Sequence, residues 1–252
     1  MRDTVLVRAA GIDYVSTVEA TPHGWKIFDA RTPILTCEYS FGPGVANALA
    51  VGGAAGLVVV SPPRRVAAGV FDDLAQYGPV RALVASNAFH YLGIREWKDR
   101  FPEAAIFAPA QSIARVERQS KLTGILPLAE AAAITGSAVE LIDMPHYKTG
   151  EVLVRITTER GVVWYVTDVI MNLPELPRNP VIRLIFRLSG SGPGPRFNNI
   201  APLFMVKDKA ALRRWLREEF RKAPPAWLIA THGDIIDLRK NPDVRRRLFE
   251  AS

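Results

Sequence analysis

VRALVASNAFHYLG, residues 80–93, decides how the rest of the chain is read. It opens with a short apolar run, Val80, Ala82, Leu83, Val84 and Ala85, of the length of a buried strand. It leaves that run through polar Ser86 and Asn87 and then presents His90. An amphipathic, helix-like stretch follows, with Ile94, Trp97 and Phe101 apolar among Arg95, Glu96, Lys98, Asp99 and Arg100. A strand that ends in a loop and delivers one histidine places a ligand or catalytic group at the rim of a sheet.

Three other stretches repeat the pattern. Residues 139–144 (VELIDM) run into Pro145 and His146, residues 162–167 (VVWYVT) into Asp168, and residues 226–231 (AWLIAT) into His232. The chain has four histidines, and three of them stand just beyond a strand-like run. Imidazole and carboxylate are the side chains that bind zinc or iron. His90, His146, Asp168 and His232 are therefore expected to converge from four strand ends.

Working outward, 252 residues with a 48% hydrophobic share suffice for a full core, and a single domain over 1–252 is the expectation. The most apolar window, residues 45–60, is broken by Asn47 and by Gly52, Gly53 and Gly56, so no membrane span is expected. The opening MRDTVLVRAAGIDYV lacks the apolar stretch and cleavage site of a signal peptide. A lone cysteine, Cys37, excludes an internal disulfide, and a cytoplasmic location is expected. Part of the net charge of +7 lies in residues 207–222 and 239–247. Aromatic residues are not interleaved there as a base-stacking platform requires, so nucleic acid is not an expected partner.

In chain order, TVLVRAA and WKIFDA are strand-like, and His23 sits in a turn, TPHGW. Residues 45–50 and 57–60 form strands about a glycine turn, and residues 66–77 form a helix. A short strand at 104–108 and helices at 111–119 and 128–134 lead to strands at 139–144, 152–157 and 162–167, the last two a hairpin. Residues 172–180 are punctuated by proline, and SGSGPGP (189–195) reads as a flexible loop flanked by apolar Ile182, Leu184, Ile185, Phe186 and Phe197. This segment is either a lid, a partner surface or a plain surface excursion. Asp208 caps a helix with Ala211, Leu212, Trp215, Leu216 and Phe220 on one face, and residues 241–250 form a short basic helix. Two mixed sheets covered by helices, an α/β (α+β) arrangement, accommodate this order.

The layout resembles the metallo-β-lactamase superfamily, from about Val45 to Asp237. LVVVSPP followed by GPVRALVASNAFHYLGIREWKDRFPEAAIFAPA looks like a branch in which a PNxxH-like motif, then a tryptophan and FP, replaces the usual metal motif. Here it reads Ser86-Asn87-Ala88-Phe89-His90. The resemblance implies a four-layer αββα sandwich with mixed sheets and a site along one sheet edge. It also implies a degenerate HxHxDH motif: with His90 as its last histidine, Ala85, Asn87 and Phe89 fill the other positions. His146 in PHYKTG, Asp168 in WYVTD and His232 in ATHGD then match the later family ligands.

With two ligands of one metal absent, the resemblance implies a single divalent ion, zinc first and iron or manganese as alternatives, held by His90, Asp168 and His232 with His146 completing it. Asp168 or Asp234 would orient or deprotonate a water. Asn87 either holds substrate or that water through its amide, or bonds its own backbone in a turn. The expected function is a mononuclear hydrolase of an ester, lactone or phosphoester. The alternative is a non-catalytic scaffold, holding no ion, that binds a small molecule or protein. A small-molecule substrate is the expected partner, with self-association into a homo-oligomer left open.

Overall fold

Alternation within the strands builds the layers. In Leu57–Val60 every residue is buried, yet Leu57 and Val59 pack to one side of the sheet while Val58 and Val60 pack to the other. In Gly161–Val166, Val163 and Tyr165 face the same central core as Val58, while Trp164 and Val166 face away. Sequences buried on both faces need cover on both, so two sheets pack against each other and helices close the outer sides.

The computed structural model describes residues 5–9, 12–16, 19–41, 44–176, 179–200 and 202–250. Among these, one sheet has eight strands, ordered Leu126–Pro127, Ala105–Ala108, Val80–Val84, Leu57–Val60, Val45–Gly52, Ile34–Ser40, Trp25–Asp29 and Glu19–Ala20. The other has seven, ordered Val5–Ala9, Ile12–Ser16, Ile236–Asp237, Trp227–Ala230, Gly161–Val166, Val152–Thr158 and Val139–Asp143. Both sheets are mixed. Val80–Val84 runs parallel to both neighbours, and Gly161–Val166 is parallel to Trp227–Ala230 but antiparallel to Val152–Thr158. The expected αββα sandwich is the observed architecture.

Each outer layer is pinned by aromatics. On the eight-stranded side, Trp97 of the helix Ile94–Arg100 is fully buried and donates Nε1 to the Pro63 carbonyl at 2.8 Å, and Trp25 donates to Val70 at the same distance. On the other side Leu212, Leu216 and Phe220 of the helix Lys209–Lys222 pack on Trp164 and on Leu248 and Phe249. Asp208 caps that helix by accepting from the Ala211 amide at 2.9 Å. Buried Arg155 ties the sheet to it by pairing with Glu219 as well as with Glu140.

Two elements differ from expectation, and a third, the turn at His23, stands exposed as expected but makes an added contact. His23 is exposed but not idle: its Nδ1 lies 2.8 Å from Asp73 Oδ1, clamping the turn to the short helix Asp73–Tyr77. Residues 180–189 form a helix, Pro180–Ser189, capped by Asn179 and burying none of its residues; Val181, Ile182, Leu184, Ile185 and Leu188 are all exposed. SGSGPGP is not a free loop, because Gly194–Phe197 pairs antiparallel with the strand Ile170–Leu173. Thr4 and Ala10 of TVLVRAA, the first residues of the chain, Pro43 and Pro177 lie outside the described residues.

Candidate metal centre

Three of the four convergent residues meet. His90 follows Val80–Val84 of the eight-stranded sheet, whereas Asp168 and His232 follow Gly161–Val166 and Trp227–Ala230 of the other. One donor atom from each lies within 4.8 Å of the others. The Nε2 atoms of His90 and His232 stand 3.4 Å and 3.5 Å from Asp168 Oδ1, and the two rings are 5.8 Å apart.

His232 is oriented from the opposite sheet. Its Nδ1 is 2.8 Å from the Val45 carbonyl, which can only accept, so Nδ1 carries the proton. Asn47, on the same strand as Val45, donates its side-chain amide to the Gly233 carbonyl at 2.8 Å and its backbone N–H to Thr231. Gly233 has φ +108°, and a Cβ there would come within 1.8 Å of the Asn172 carbonyl oxygen, so only glycine lets this loop lie against the hairpin strand Ile170–Leu173. Asn172 closes the contact by donating its backbone N–H to the His232 carbonyl at 2.8 Å.

Asn87 is 0% exposed and both its side-chain polar atoms are committed. Its Oδ1 accepts from the Phe89 and His90 amides at 2.8 and 2.9 Å, shaping the turn that delivers His90. Its Nδ2 donates to Asp168 Oδ2 at 2.8 Å and to Glu151 Oε2 at 3.0 Å. In this structure Asn87 binds its own turn and orients Asp168.

His146 is not in the group. Tyr147 bridges to Val206 and turns inward, 2% exposed, while His146 beside it, at φ 67°, is exposed and its carbonyl accepts from the Lys207 amide. Asp234 is likewise exposed and outside the group; its carbonyl accepts from Asn172 Nδ2, and its charge helps raise the Tyr14 phenol after burial.

Sequence reasoning missed Glu151, which is 0% exposed and accepts the Asp168 backbone N–H at 3.1 Å through Oε1. The sequence carries only a weak signal, an acid opening the apolar run VLVRI; the burial of that run is a property of the packed structure. Burial and then the charge of Asp168 push the Glu151 carboxyl well above the usual carboxylate range. Burial also opposes ionisation of Asp168, but His90 and His232 outweigh it and hold that carboxyl well below the usual range. Burial disfavours protonation of His232, yet Asp168 and the Val45 carbonyl raise it. The site thus pushes two acids in opposite directions, Asp168 toward its ionised form and Glu151 toward its protonated form.

The donor set fits a cation. With Nδ1 of His232 held by the Val45 carbonyl, Nε2 faces the Asp168 oxygen, where either a proton on the imidazole or a bound cation would join the two. Among the described residues His90 Nδ1 is buried with no hydrogen-bond partner.

Fold comparison agrees with this geometry. A metallo-β-lactamase from Pontibacter korlensis superposes with a TM-score of 0.57 at 13% identity, covering 89% of this chain and 99% of that one. The chain has the metallo-β-lactamase fold. The mono-zinc form of the metallo-β-lactamase FIM-1 from Pseudomonas aeruginosa gives 0.57 at 13% identity, covering 92% and 97%. A putative diflavin flavoprotein fragment from Nostoc sp. PCC 7120 gives 0.59 at 9% identity, covering 90% and 95%. No protein-family model matches the chain, and no curated protein matches it in sequence. In the metallo-β-lactamase fold described here, the donors come from strands of both sheets at one edge of the sandwich.

Proposed function

We propose that the chain is a mononuclear metal-dependent hydrolase of an ester, lactone or phosphoester, with His90, Asp168 and His232 holding one divalent ion. The observation that carries this reading is the Nε2–Oδ1–Nε2 arrangement, two imidazoles facing one carboxylate oxygen with His232 locked in a single tautomer. Zinc is the first candidate for two imidazoles and a carboxylate, with iron or manganese next; one structural neighbour is itself described as a mono-zinc form. Such an ion supplies Lewis acidity and brings the pKa of a water from about 15.7 toward about 7.

The chain's own groups supply the rest. Ionised Asp168, steadied by Asn87 and by the hydrogen bond from its own backbone to Glu151, is the acid placed to orient a water. Burial and the charge of Asp168 push the Glu151 carboxyl toward its neutral form, which limits the charge beneath Asp168. Asp234 and His146, outside the group, have no part in holding the ion.

Protein purified without chelator and without a metal-binding tag should contain about one equivalent of zinc, iron or manganese by elemental analysis. His90→Ala and His232→Ala should each lose it, together with turnover of chromogenic esters, lactones and phosphodiesters, while His146→Ala keeps both. Metal far below one equivalent, unchanged by the first two substitutions, would defeat the reading. The competing role, a non-catalytic binding scaffold, draws on the exposed apolar face of Pro180–Ser189. It predicts unaltered partner binding in the histidine variants.

A further inference from the structure

Away from the histidines, a cavity of about 180 Å³ is lined by Arg196, Arg213, Arg217 and Arg247, together with Phe197 and Asn199. Three elements deliver these arginines. Arg196 lies in Gly194–Phe197, Arg213 and Arg217 lie one turn apart on Lys209–Lys222, and Arg247 lies in the C-terminal helical segment Arg246–Glu250. The basic runs of residues 207–222 and 239–247 therefore meet Arg196 at one concavity, walled by the glycine- and proline-rich segment.

Like charges this close repel, and a chain gains nothing in stability from collecting them. Among the described residues none of the four forms an ion pair with a carboxylate, although the charge of Asp243 acts on Arg247. Two of them are instead held in place by neutral partners. Arg213 donates to Asn199 Oδ1 at 2.9 Å and stands over the Phe197 ring, 5.1 Å from its centroid. Arg247 donates to the Pro195 carbonyl at 3.2 Å. Asn199 is itself fixed by Ser189 and Ser191. Burial and then Arg217 lower the Arg213 guanidinium below its ordinary range, and burial and then Arg196 do the same to Arg247. Guanidinium groups set around a hollow match the several oxygens of a tetrahedral dianion.

We infer that this pocket binds a phosphoryl group of a small phosphorylated molecule. Its volume lies below the roughly 300–1,000 Å³ of sites that enclose a whole drug-sized ligand, so it takes the anionic end and leaves the remainder outside. The inference goes beyond the hydrolase reading and shares no residue with that site.

Titration calorimetry of the full chain at low, chloride-matched ionic strength tests it, with inorganic phosphate, inorganic diphosphate and adenosine monophosphate as probes. Saturable binding of at least one is expected. Tighter binding of adenosine monophosphate than of phosphate would identify a nucleotide as the source, and equal binding the free anion. Arg196→Gln combined with Arg217→Gln should weaken binding tenfold or more with metal content unchanged. His90→Ala combined with His232→Ala should alter it less than twofold. Binding lost in the histidine variant but kept in the arginine variant would overturn the inference, as would no binding of any probe. It also falls if a single-stranded oligonucleotide binds where all three probes fail. Should the arginine variant not fold, the native chain still decides: diphosphate must raise its melting temperature at constant ionic strength, and no rise counts against the site.

Discussion

Asn87 is the residue on which the site's electrostatics turn, because one amide separates two carboxylates and the same side chain shapes the turn before His90. Asn87→Asp keeps the two bonds to the turn but replaces the donor by a third acidic oxygen between Glu151 and Asp168. A buried acceptor losing its donor to a like charge costs roughly 2 kcal/mol or more. Urea unfolding at pH 7 should show that loss. The sign follows from repulsion, which raises carboxyl pKa values in the folded state, so the deficit against the native chain should shrink as pH falls from 7 toward 5. At this scale the sequence was half legible. His90, Asp168 and His232 each follow an apolar run that ends at a sheet edge, and that signal is local. His146 follows one too, but the inward turn of Tyr147, set by its bridge to Val206 nearly sixty residues away, sends it outward. Glu151 looked like an ordinary acid after a turn glycine; only its burial, a property of the packed whole, makes it part of the site.

At the scale of elements, the clamp between the turn at His23 and the helix Asp73–Tyr77 gives a pH test. Burial raises the Asp73 carboxyl, but hydrogen bonds from Thr21 and His23 outweigh it, so its folded value lies below its ordinary one. A depressed acid contributes stability above its unfolded pKa, near 3.8, and loses it as pH falls through the folded value. Thermal melts from pH 6 to pH 3 should therefore show Asp73→Asn less stable than the native chain at pH 6. The two should converge below about pH 4. Strong periodic elements were readable in advance: Leu57–Val60, Val80–Val84 and Lys209–Lys222 each announce themselves by apolar spacing and caps. Ile34–Ser40 was not, since ILTCEYS interleaves polar residues that a central strand tolerates only because its neighbours cover them. Gly194–Phe197 was hidden by its glycine and proline content and exists as a strand through its pairing with Ile170–Leu173.

Across the whole molecule, the two sheets are sewn together beneath the site by Tyr165. Its hydroxyl reaches from the seven-stranded sheet to the Asn47 carbonyl at 2.9 Å and to Ser61 Oγ at 3.1 Å, with Thr231 Oγ1 at 2.8 Å and Ser61 in turn 2.7 Å from Ser86. Tyr165→Phe strands these buried partners and should cost about 1–3 kcal/mol in denaturant unfolding. Metal content should change little, since no donor is removed. Another consequence concerns the order of assembly. His90 hangs from one sheet, Asp168 and His232 from the other, and His232 is aimed by a carbonyl belonging to the first. On the proposed metal-holding role, a nascent or refolding chain that has completed either half alone presents only part of the donor set. Capture must then wait for the two halves to close, so a stopped-flow record of refolding should place ion uptake after the joining of the sheets and never before it.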